Sequence, residues 1–289
     1  MKKTFLLFLV FILSLQLFNV HTMRYVSATN ADNIVVYIAM GDSITEANPG
    51  FVSIVEKGIS ADYTINYGVS GITSYQLLTE LKTNKYVRDS IVHADIITLD
   101  IGSNDIYYQI VQNISYALEC EPSIDSINAI ITSLQTQFNN SKGFTKLIVG
   151  AKLICKAMVV RNAVYNSYKV HESSINYKSN LSAILDELES LSPDAKIYIG
   201  NLYNPYVDTD PVMLGSYKVY DIDEIVELWE AKYNAVINEV AGNHKVIDLH
   251  SVITSKTQLN GDISMGNWDP HPNSQGHKDI ANAFLHAIK

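Results

Sequence analysis

The stretch Asn33-Ile34-Val35-Val36-Tyr37-Ile38-Ala39-Met40-Gly41-Asp42-Ser43-Ile44-Thr45 contains the strongest strand signal in the sequence. Its first part is an apolar, largely β-branched run, which is typical of a strand buried on both faces of a parallel sheet. The run stops at Gly41-Asp42-Ser43, where glycine permits a sharp turn and Asp and Ser bond to nearby backbone groups. A helix is predicted soon after, so Ser43 is expected where a buried strand leads into a helix. Ligands of open α/β sheets bind at this carboxyl end of the strands.

Two further segments repeat this pattern. Tyr63 to Tyr67 predicts a second strand that leads into Gly68-Val69-Ser70-Gly71, and Asp95 to Ile101 predicts a third that leads into Gly102-Ser103-Asn104-Asp105. Helices are predicted between the strands, and this alternation indicates a parallel sheet with helices on both faces. The three polar, glycine-containing loops are therefore expected along one edge of the sheet.

A long segment with helical periodicity follows the third strand, from Ile106 to about Pro193. A single crossover helix needs far fewer residues, so we interpret residues 106–193 as a helical insertion. Because it starts at the ligand-binding edge and is rich in tyrosine, a cap over the site is favoured over ordinary packing helices. Lys196 to Gly200 and Lys245 to Leu249 predict two more strands. The expected fold is a three-layer α/β/α sandwich around a parallel sheet of about five strands.

The N-terminus has the layout of a secretory signal peptide. Lys2-Lys3 precedes an uninterrupted apolar run from Phe5 to Leu13, and small residues occupy Val26-Ser27-Ala28. We expect residues 1–28 to be cleaved and residues 29–289 to form a single domain, secreted or associated with the cell wall. A retained anchor is the alternative, although the run is short for a spanning helix.

The chain is acidic, with a formal net charge of −9 at pH 7. Residues 1–28 hold three basic and no acidic residues, so removing them leaves −12. This excess of negative charge makes nucleic acid and anionic membranes poor candidates as partners. The eight histidines lack the close spacing of a metal site, and no cofactor is expected. Cys120 and Cys155 are compatible with a disulfide in an exported protein or with two free thiols.

The chemistry that these residues favour is nucleophilic acyl transfer. It needs a hydroxyl, a base within hydrogen-bond reach, a group that orients the base, and donors for the developing oxyanion. Ser43 supplies a hydroxyl, while the backbone N–H groups of Ser43 and Gly71 and the side-chain amide of Asn104 supply donors. His271 lies between two prolines, which restrict the backbone on both sides of a candidate base. Taken alone, Ser43 would more simply be a turn or N-cap residue.

The chain resembles the SGNH hydrolases, also called the GDSL esterase/lipase family. The resemblance rests on four blocks in the family's order: Gly41-Asp42-Ser43, Ser70-Gly71, Gly102-Ser103-Asn104-Asp105 and Asp269-Pro270-His271-Pro272-Asn273. It implies a flavodoxin-like three-layer fold and ester hydrolysis without a cofactor. It also implies Ser43 and His271 as catalytic residues and an oxyanion hole of Ser43, Gly71 and Asn104. The last block, together with Tyr203-Asn204-Pro205-Tyr206, is similar to the secreted bacterial lipase/acylhydrolase branch.

One position departs from the family pattern. The family usually has its acid three residues before the histidine, and that position is Trp268 in this chain. Asp269 is only two residues before His271, but residues two apart in an extended segment face the same side. We therefore favour Asp269 as the third catalytic residue. The alternative is a serine–histidine pair in which the main-chain carbonyl of Trp268 orients the ring.

The sequence thus predicts an exported serine esterase or lipase that acts on a small-molecule or lipid carboxylic ester. Neither nucleic-acid binding nor stable membrane insertion after cleavage is expected. One alternative is a carbohydrate O-deacetylase, which the family resemblance also covers. Another is a non-catalytic, wall-associated binding protein with the same fold, against which the intact Ser43, Gly71, Asn104 and His271 argue.

Overall fold

A five-stranded, all-parallel sheet forms the centre of the protein. The computed structural model describes residues 34–214, 217–261 and 269–289. Its strands are β1 (Val36–Gly41), β2 (Tyr63–Gly68), β3 (Ile96–Asp100), β4 (Lys196–Gly200), β5 (Val212–Leu214), β6 (Tyr217–Tyr220) and β7 (Lys245–Ile247). The sheet has the order β2-β1-β3-β4-β7, which is the flavodoxin-like order, and β5 pairs with β6 in a separate antiparallel ribbon. The predicted fold class is confirmed.

Helices cover both faces of this sheet. They are α1 (Ser43–Glu46), α2 (Phe51–Ile59), α3 (Ser74–Thr83), α4 (Lys85–Ile91), α5 (Ser103–Leu118), α6 (Ile124–Asn140), α7 (Gly143–Val164), α8 (Ser167–Leu191), α9 (Ile222–Val240) and α10 (Ser274–Ile288). Periodicity alone predicts one helix from Ser74 to about Lys85. The observed helix, α3, ends at Thr83, close to the predicted bound, and a second helix that was not predicted follows it. Asn84 begins this helix, α4, because its side chain accepts from the backbone N–H groups of Tyr86 and Val87.

Alternation along β1 divides the protein into two cores. Ile38 and Met40 point into the core that contains α3, α4, α8 and α9, whereas Tyr37 and Ala39 point into the core that contains α2 and α10. Successive side chains of a strand leave on opposite faces, and in β1 both sets are buried. A strand of this kind reads as a continuous apolar run, which explains the signal in the sequence.

The segment between β3 and β4 contains four helices, α5 to α8. The last of them, α8, is part of the core that also contains α3, α4 and α9, which we call the main core. Tyr177 on α8 is buried there, and its hydroxyl donates to the Ile101 carbonyl at 2.8 Å. The Tyr177 ring leaves no room for a side chain at Gly102, where a Cβ atom would lie 2.9 Å from it. The two cysteines in this region are free, Cys155 being exposed and Cys120 half-buried, which answers the question that the sequence left open.

The carboxyl ends of β1 and β3 bury two neighbouring carboxyl groups. The Asp42 N–H donates to the Asp100 carbonyl at 3.3 Å, and a Cβ atom at Gly41 would lie 2.2 Å from that same oxygen. Burial raises the pKa of Asp42 to about 6, and it raises the pKa of Asp100 well above its usual range. Among the described residues, none hydrogen-bonds Oδ2 of Asp100. At neutral pH these two carboxyl groups therefore lower the free energy of unfolding.

Asp100→Asn is expected to raise the free energy of unfolding more at pH 8 than at pH 5. A folded-state pKa above the unfolded value of about 4 means that the native protein binds the proton more tightly. The contribution of Asp100 to the free energy of unfolding is consequently lost as the pH rises from about 4 through the folded-state pKa. Asparagine does not ionise and avoids this loss. Denaturant titration at both pH values measures the effect, with the exposed Asp194→Asn as control, and an equal effect at the two pH values would contradict it.

Candidate active site

Three predicted site residues form one chain of hydrogen bonds. Ser43 is the first residue of α1, and its Oγ lies 2.8 Å from Nε2 of His271, although 228 positions separate them. The other ring nitrogen, Nδ1, lies 2.5 Å from Oδ1 of Asp269. With the proton on Nδ1, the ring donates to Asp269 and accepts the hydroxyl hydrogen of Ser43 through Nε2. This arrangement can withdraw the hydroxyl proton and stabilise the resulting imidazolium.

Asp269 approaches the ring from two positions earlier in the chain. Its Oδ1 accepts from the backbone N–H of His271 at 3.0 Å as well as lying against Nδ1. The local backbone thus fixes the carboxylate beside the imidazole. The competing ligand for the ring, the main-chain carbonyl of Trp268, lies outside the described residues.

The segment around His271 is held on both sides by neighbouring backbone. The His271 carbonyl accepts from the N–H of Asn260 at 2.9 Å, and the Pro270 carbonyl accepts from the Tyr203 hydroxyl at 3.3 Å. Asn273 caps α10 and donates through its amide to the Leu259 carbonyl at 3.0 Å. These bonds hold the backbone of the base, so little ordering of this segment is required for reaction.

The predicted oxyanion donors come from the ends of the three neighbouring strands β1, β2 and β3. Gly71 has φ +76° and is the third residue of a turn closed by the Ile72 N–H and the Val69 carbonyl at 3.1 Å. Such a turn needs positive φ at this position, which explains the glycine. Ser43 is the first residue of α1, and an N–H in a first helical turn has no partner within its helix.

The amide of Asn104 lies between these two turns. Its Nδ2 donates to the Ile72 carbonyl at 3.1 Å and to Oδ2 of Asp42 at 3.3 Å. Each acceptor belongs to the residue next to another predicted donor, Gly71 or Ser43. Both amide hydrogens have acceptors here, so binding an oxyanion requires Asn104 to exchange one of them, and the longer contact to Asp42 is the weaker bond.

Asp42 is a site residue for which the sequence predicted only a bond to nearby backbone groups. Only 1% of it is exposed, and its Oδ1 accepts from the Ile44 N–H at 3.0 Å, which caps α1 directly behind Ser43. Its Oδ2 accepts from Asn104. The sequence marks Asp42 as a candidate because it is the central residue of the Gly-Asp-Ser block, but only the fold reveals that it contacts the loop after β3.

A cavity of about 410 Å³ lies between α3, α5 and α8. It adjoins the turn at Gly71, because a Cβ atom there would lie 3.4 Å from the hydroxyl of Tyr108, one of its lining residues. The lining combines tyrosines with polar side chains and includes Asp105, Tyr108, Gln109, Asn176, Tyr177 and Asn180. The carboxylate of Asp105 accepts from the Ser74 N–H at 2.8 Å and from its hydroxyl at 2.5 Å, so this residue braces the start of α3.

A second cluster of polar residues, on α9 and after β7, has the composition of a metal site. Glu227, Glu230 and His250 bring three possible ligand atoms within 4.8 Å of one another. Burial raises the pKa of Glu230 to about 7, and the neighbouring Glu230 raises the pKa of His250. Nε2 of His250 lies 3.3 Å from the Glu227 carboxylate and Nδ1 lies 3.9 Å from that of Glu230, so pairing between these groups accounts for the cluster and we assign no metal to it.

Comparisons with known proteins agree on one family. The model of the GDSL-like Lipase/Acylhydrolase family matches residues 39–278. No curated protein matched the sequence. Among solved structures, a lipase from a goat rumen metagenome has 19% sequence identity and a TM-score of 0.53, and the match covers 88% of this chain and 97% of that one.

Two Streptomyces enzymes are similar in the same way. An extracellular lipase from Streptomyces rimosus has 13% identity and a TM-score of 0.51, with 88% of this chain and 99% of that one covered. A phospholipase A1 from Streptomyces albidoflavus has 12% identity and a TM-score of 0.51, with coverage of 89% and 100%. At such identities the structures establish a shared fold, while the family match extends over most of the sequence. The chain therefore belongs to the GDSL-like lipase/acylhydrolase family and is an ester hydrolase.

Proposed function

We propose that the protein is a serine esterase or lipase that hydrolyses carboxylic esters, with Ser43 as nucleophile. The observation that carries this proposal is the pair of contacts made by His271, at 2.8 Å to Oγ of Ser43 and 2.5 Å to Asp269. A serine hydroxyl is a weak nucleophile by itself and requires an adjacent base. This geometry supplies the base and, through Asp269, the group that orients it.

In the first half of the reaction, Oγ of Ser43 attacks the ester carbonyl while Nε2 of His271 takes the hydroxyl proton. The carbonyl oxygen becomes an oxyanion, which accepts from the N–H groups of Ser43 and Gly71 and from the amide of Asn104. The tetrahedral intermediate collapses by breaking the ester C–O bond. The departing alcohol takes the proton from His271, and the acyl group stays on Ser43.

In the second half, water replaces the alcohol. His271 takes a proton from the water, whose oxygen attacks the acyl carbon. The oxyanion that forms is bound by the same three donors as in the first half. Collapse breaks the bond to Oγ, returns the proton to Ser43 and releases the carboxylic acid. Asp269 stays ionised throughout and stabilises the imidazolium in both halves. His271 thus passes each proton that it takes to the departing alcohol in the first half and to Ser43 in the second.

A carbohydrate O-deacetylase is the second candidate, and the cavity next to Gly71 supports it. The polar side chains there, among them Gln109, Asn176 and Asn180, are suited to hydroxyl groups on the alcohol side of an ester. Acetylated sugars assayed beside p-nitrophenyl esters of increasing chain length separate the two candidates. Faster hydrolysis of the sugar acetates than of all p-nitrophenyl esters would favour the deacetylase.

We also propose that the protein is exported after cleavage of residues 1–28. The basic start, the apolar run and the small residues at Val26-Ser27-Ala28 support this proposal. The N-terminal residue of the mature protein decides between cleavage after Ala28 and a retained anchor.

Ser43→Ala is expected to reduce kcat for p-nitrophenyl butyrate by ~10⁴-fold or more, because the attacking oxygen is removed. Labelling by a fluorophosphonate probe should disappear with it, while the melting temperature stays near that of the parent protein. Ser70→Ala, at an exposed serine in the turn after β2, is the matched control and should keep its activity. A folded Ser43→Ala protein with near-native activity would exclude this nucleophile. A parent protein that neither turns over nor labels would instead favour the non-catalytic binding protein.

Asp269→Asn tests which group orients His271. If the carboxylate stabilises the imidazolium, kcat should fall by ~10⁴-fold with little change in KM. A main-chain carbonyl from Trp268 would survive this substitution, and activity would then be largely retained. His271→Ala is inactive under both arrangements, which makes it the internal reference, and the exposed Asp194→Asn controls for the loss of one negative charge.

A further inference from the structure

Helix α7 carries a broad apolar face that is exposed to solvent. Phe144 is 76% exposed, Leu147 68% and Met158 47%, and Ile148 and Ile154 are also exposed. With a rotation of about 100° per residue, these five positions lie along one side of the helix. Single exposed apolar residues are ordinary, but a continuous row of them on one helix marks an interaction surface.

The opposite side of α7 already makes the contacts that hold the helix in the fold. Val160 packs against Val111 and Leu118 of α5, and Val164 is buried in the main core. The Val164 carbonyl also accepts from the indole N–H of Trp229 at 2.9 Å. The helix is therefore apolar on two sides, and among the residues that the structure describes one of these sides packs against the fold while the other stays exposed.

The charges of α7 are all positive. The helix contains Lys146, Lys152, Lys156 and Arg161 and no aspartate or glutamate, in a chain whose net charge is −9. Along the helix, Lys152 and Lys156 lie on one flank of the exposed apolar face and Arg161 lies on the other. Long basic side chains can extend from such flanks while their methylene groups cover apolar surface.

We propose that α7 docks this protein on an anionic phospholipid surface. The apolar face enters the boundary between headgroups and acyl chains, and the flanking Lys and Arg side chains contact the phosphates. The helix lies on the surface instead of crossing it, because none of the described helices is apolar enough over a sufficient length to span a bilayer. Total charge predicts repulsion from such a surface, but the charged side chains of α7 itself are all positive. Attraction at short range therefore depends on these side chains, because charges farther away than a Debye length are screened.

Charge also argues against the other occupants of this face. A second copy packed through α7 would bring two sets of lysine and arginine together without an acidic residue from either helix. The chain's own N-terminal segment, residues 1–28, contains Lys2, Lys3 and Arg24 and likewise no acid. An anionic lipid surface supplies both the apolar environment and the negative charge that α7 lacks.

Helix α7 is linked to the candidate active site through α5, against which it packs with the side opposite the docking face. Helix α7 packs along α5, whose first turn contains Asn104 and Asp105. A protein held on the surface by α7 would thus have the insertion, and the sheet edge from which the insertion emerges, close to the lipid. The proposal goes beyond ester hydrolysis and does not depend on it.

Cys155 provides a local probe for the test. It is exposed, and it lies seven residues after Ile148 and three before Met158, on the apolar face. The full chain with Cys120→Ser is labelled at Cys155 with an environment-sensitive fluorophore and mixed with vesicles of phosphatidylcholine and phosphatidylglycerol. The control carries the same dye at Tyr86→Cys in a Cys120→Ser, Cys155→Ser background, since Tyr86 on α4 is 77% exposed.

The emission at position 155 should shift to the blue with these vesicles, and the emission at position 86 should not. The shift should require at least tenfold more lipid with pure phosphatidylcholine, in high salt, or after Lys152→Glu with Lys156→Glu. No shift at 155, equal shifts at both positions, or equal response to both vesicle types would overturn the proposal. A shift without vesicles that grows with protein concentration would assign the face to a second copy and would also overturn it. Circular dichroism of each labelled protein checks that it is folded.

Discussion

The hydrogen bonds made by the buried carboxyl group of Asp42 hold the candidate site together. One oxygen caps the short helix that begins with Ser43, and the other accepts from the amide of Asn104 after the neighbouring strand. The approach is close because Gly41 has no side chain to separate β1 from the Asp100 carbonyl. The first turn of the helix that carries the nucleophile and the side chain of one oxyanion donor thus both donate to Asp42, and burial raises the pKa of Asp42 to about 6. Stability at neutral pH is reduced so that these groups meet at one point, as is common at functional sites.

The insertion between β3 and β4 serves the site in two different ways. Its inner helix, α8, belongs to the main core, where Tyr177 bonds the end of β3 and packs over Gly102. Its outer helix, α7, packs with one side against the other described residues and presents a second apolar face with positive charges beside it. Tyrosines of the insertion line the cavity beside the site together with polar side chains, whereas the most exposed apolar residues of α7 face outward.

Patterns within short segments predicted the elements, and packing between segments decided the rest. The strand Lys196–Gly200 has the predicted bounds because hydrophobic period and turn residues are local properties. Helix α4 was missed because its start depends on the capping bonds of Asn84, which the apolar pattern of the sequence does not show. The meeting of Glu227 and Glu230 with His250 was also invisible in the sequence, since their spacing along the chain follows no metal-binding pattern.

The sequence by itself determined the parallel α/β architecture, the family and the edge of the sheet at which Ser43, Gly71 and Asn104 lie. Buried parallel strands are unmistakably apolar, and their loops must emerge at one edge. Only the tertiary structure decided that His271 reaches Ser43 and that Asp269, two residues before it, reaches the ring. The sequence also did not reveal the contact between Asp42 and Asn104 or the exposed side of α7. Hydrogen bonds depend on ångström distances between residues far apart in the chain, and exposure depends on what packs against each face, so neither can be read from spacing alone.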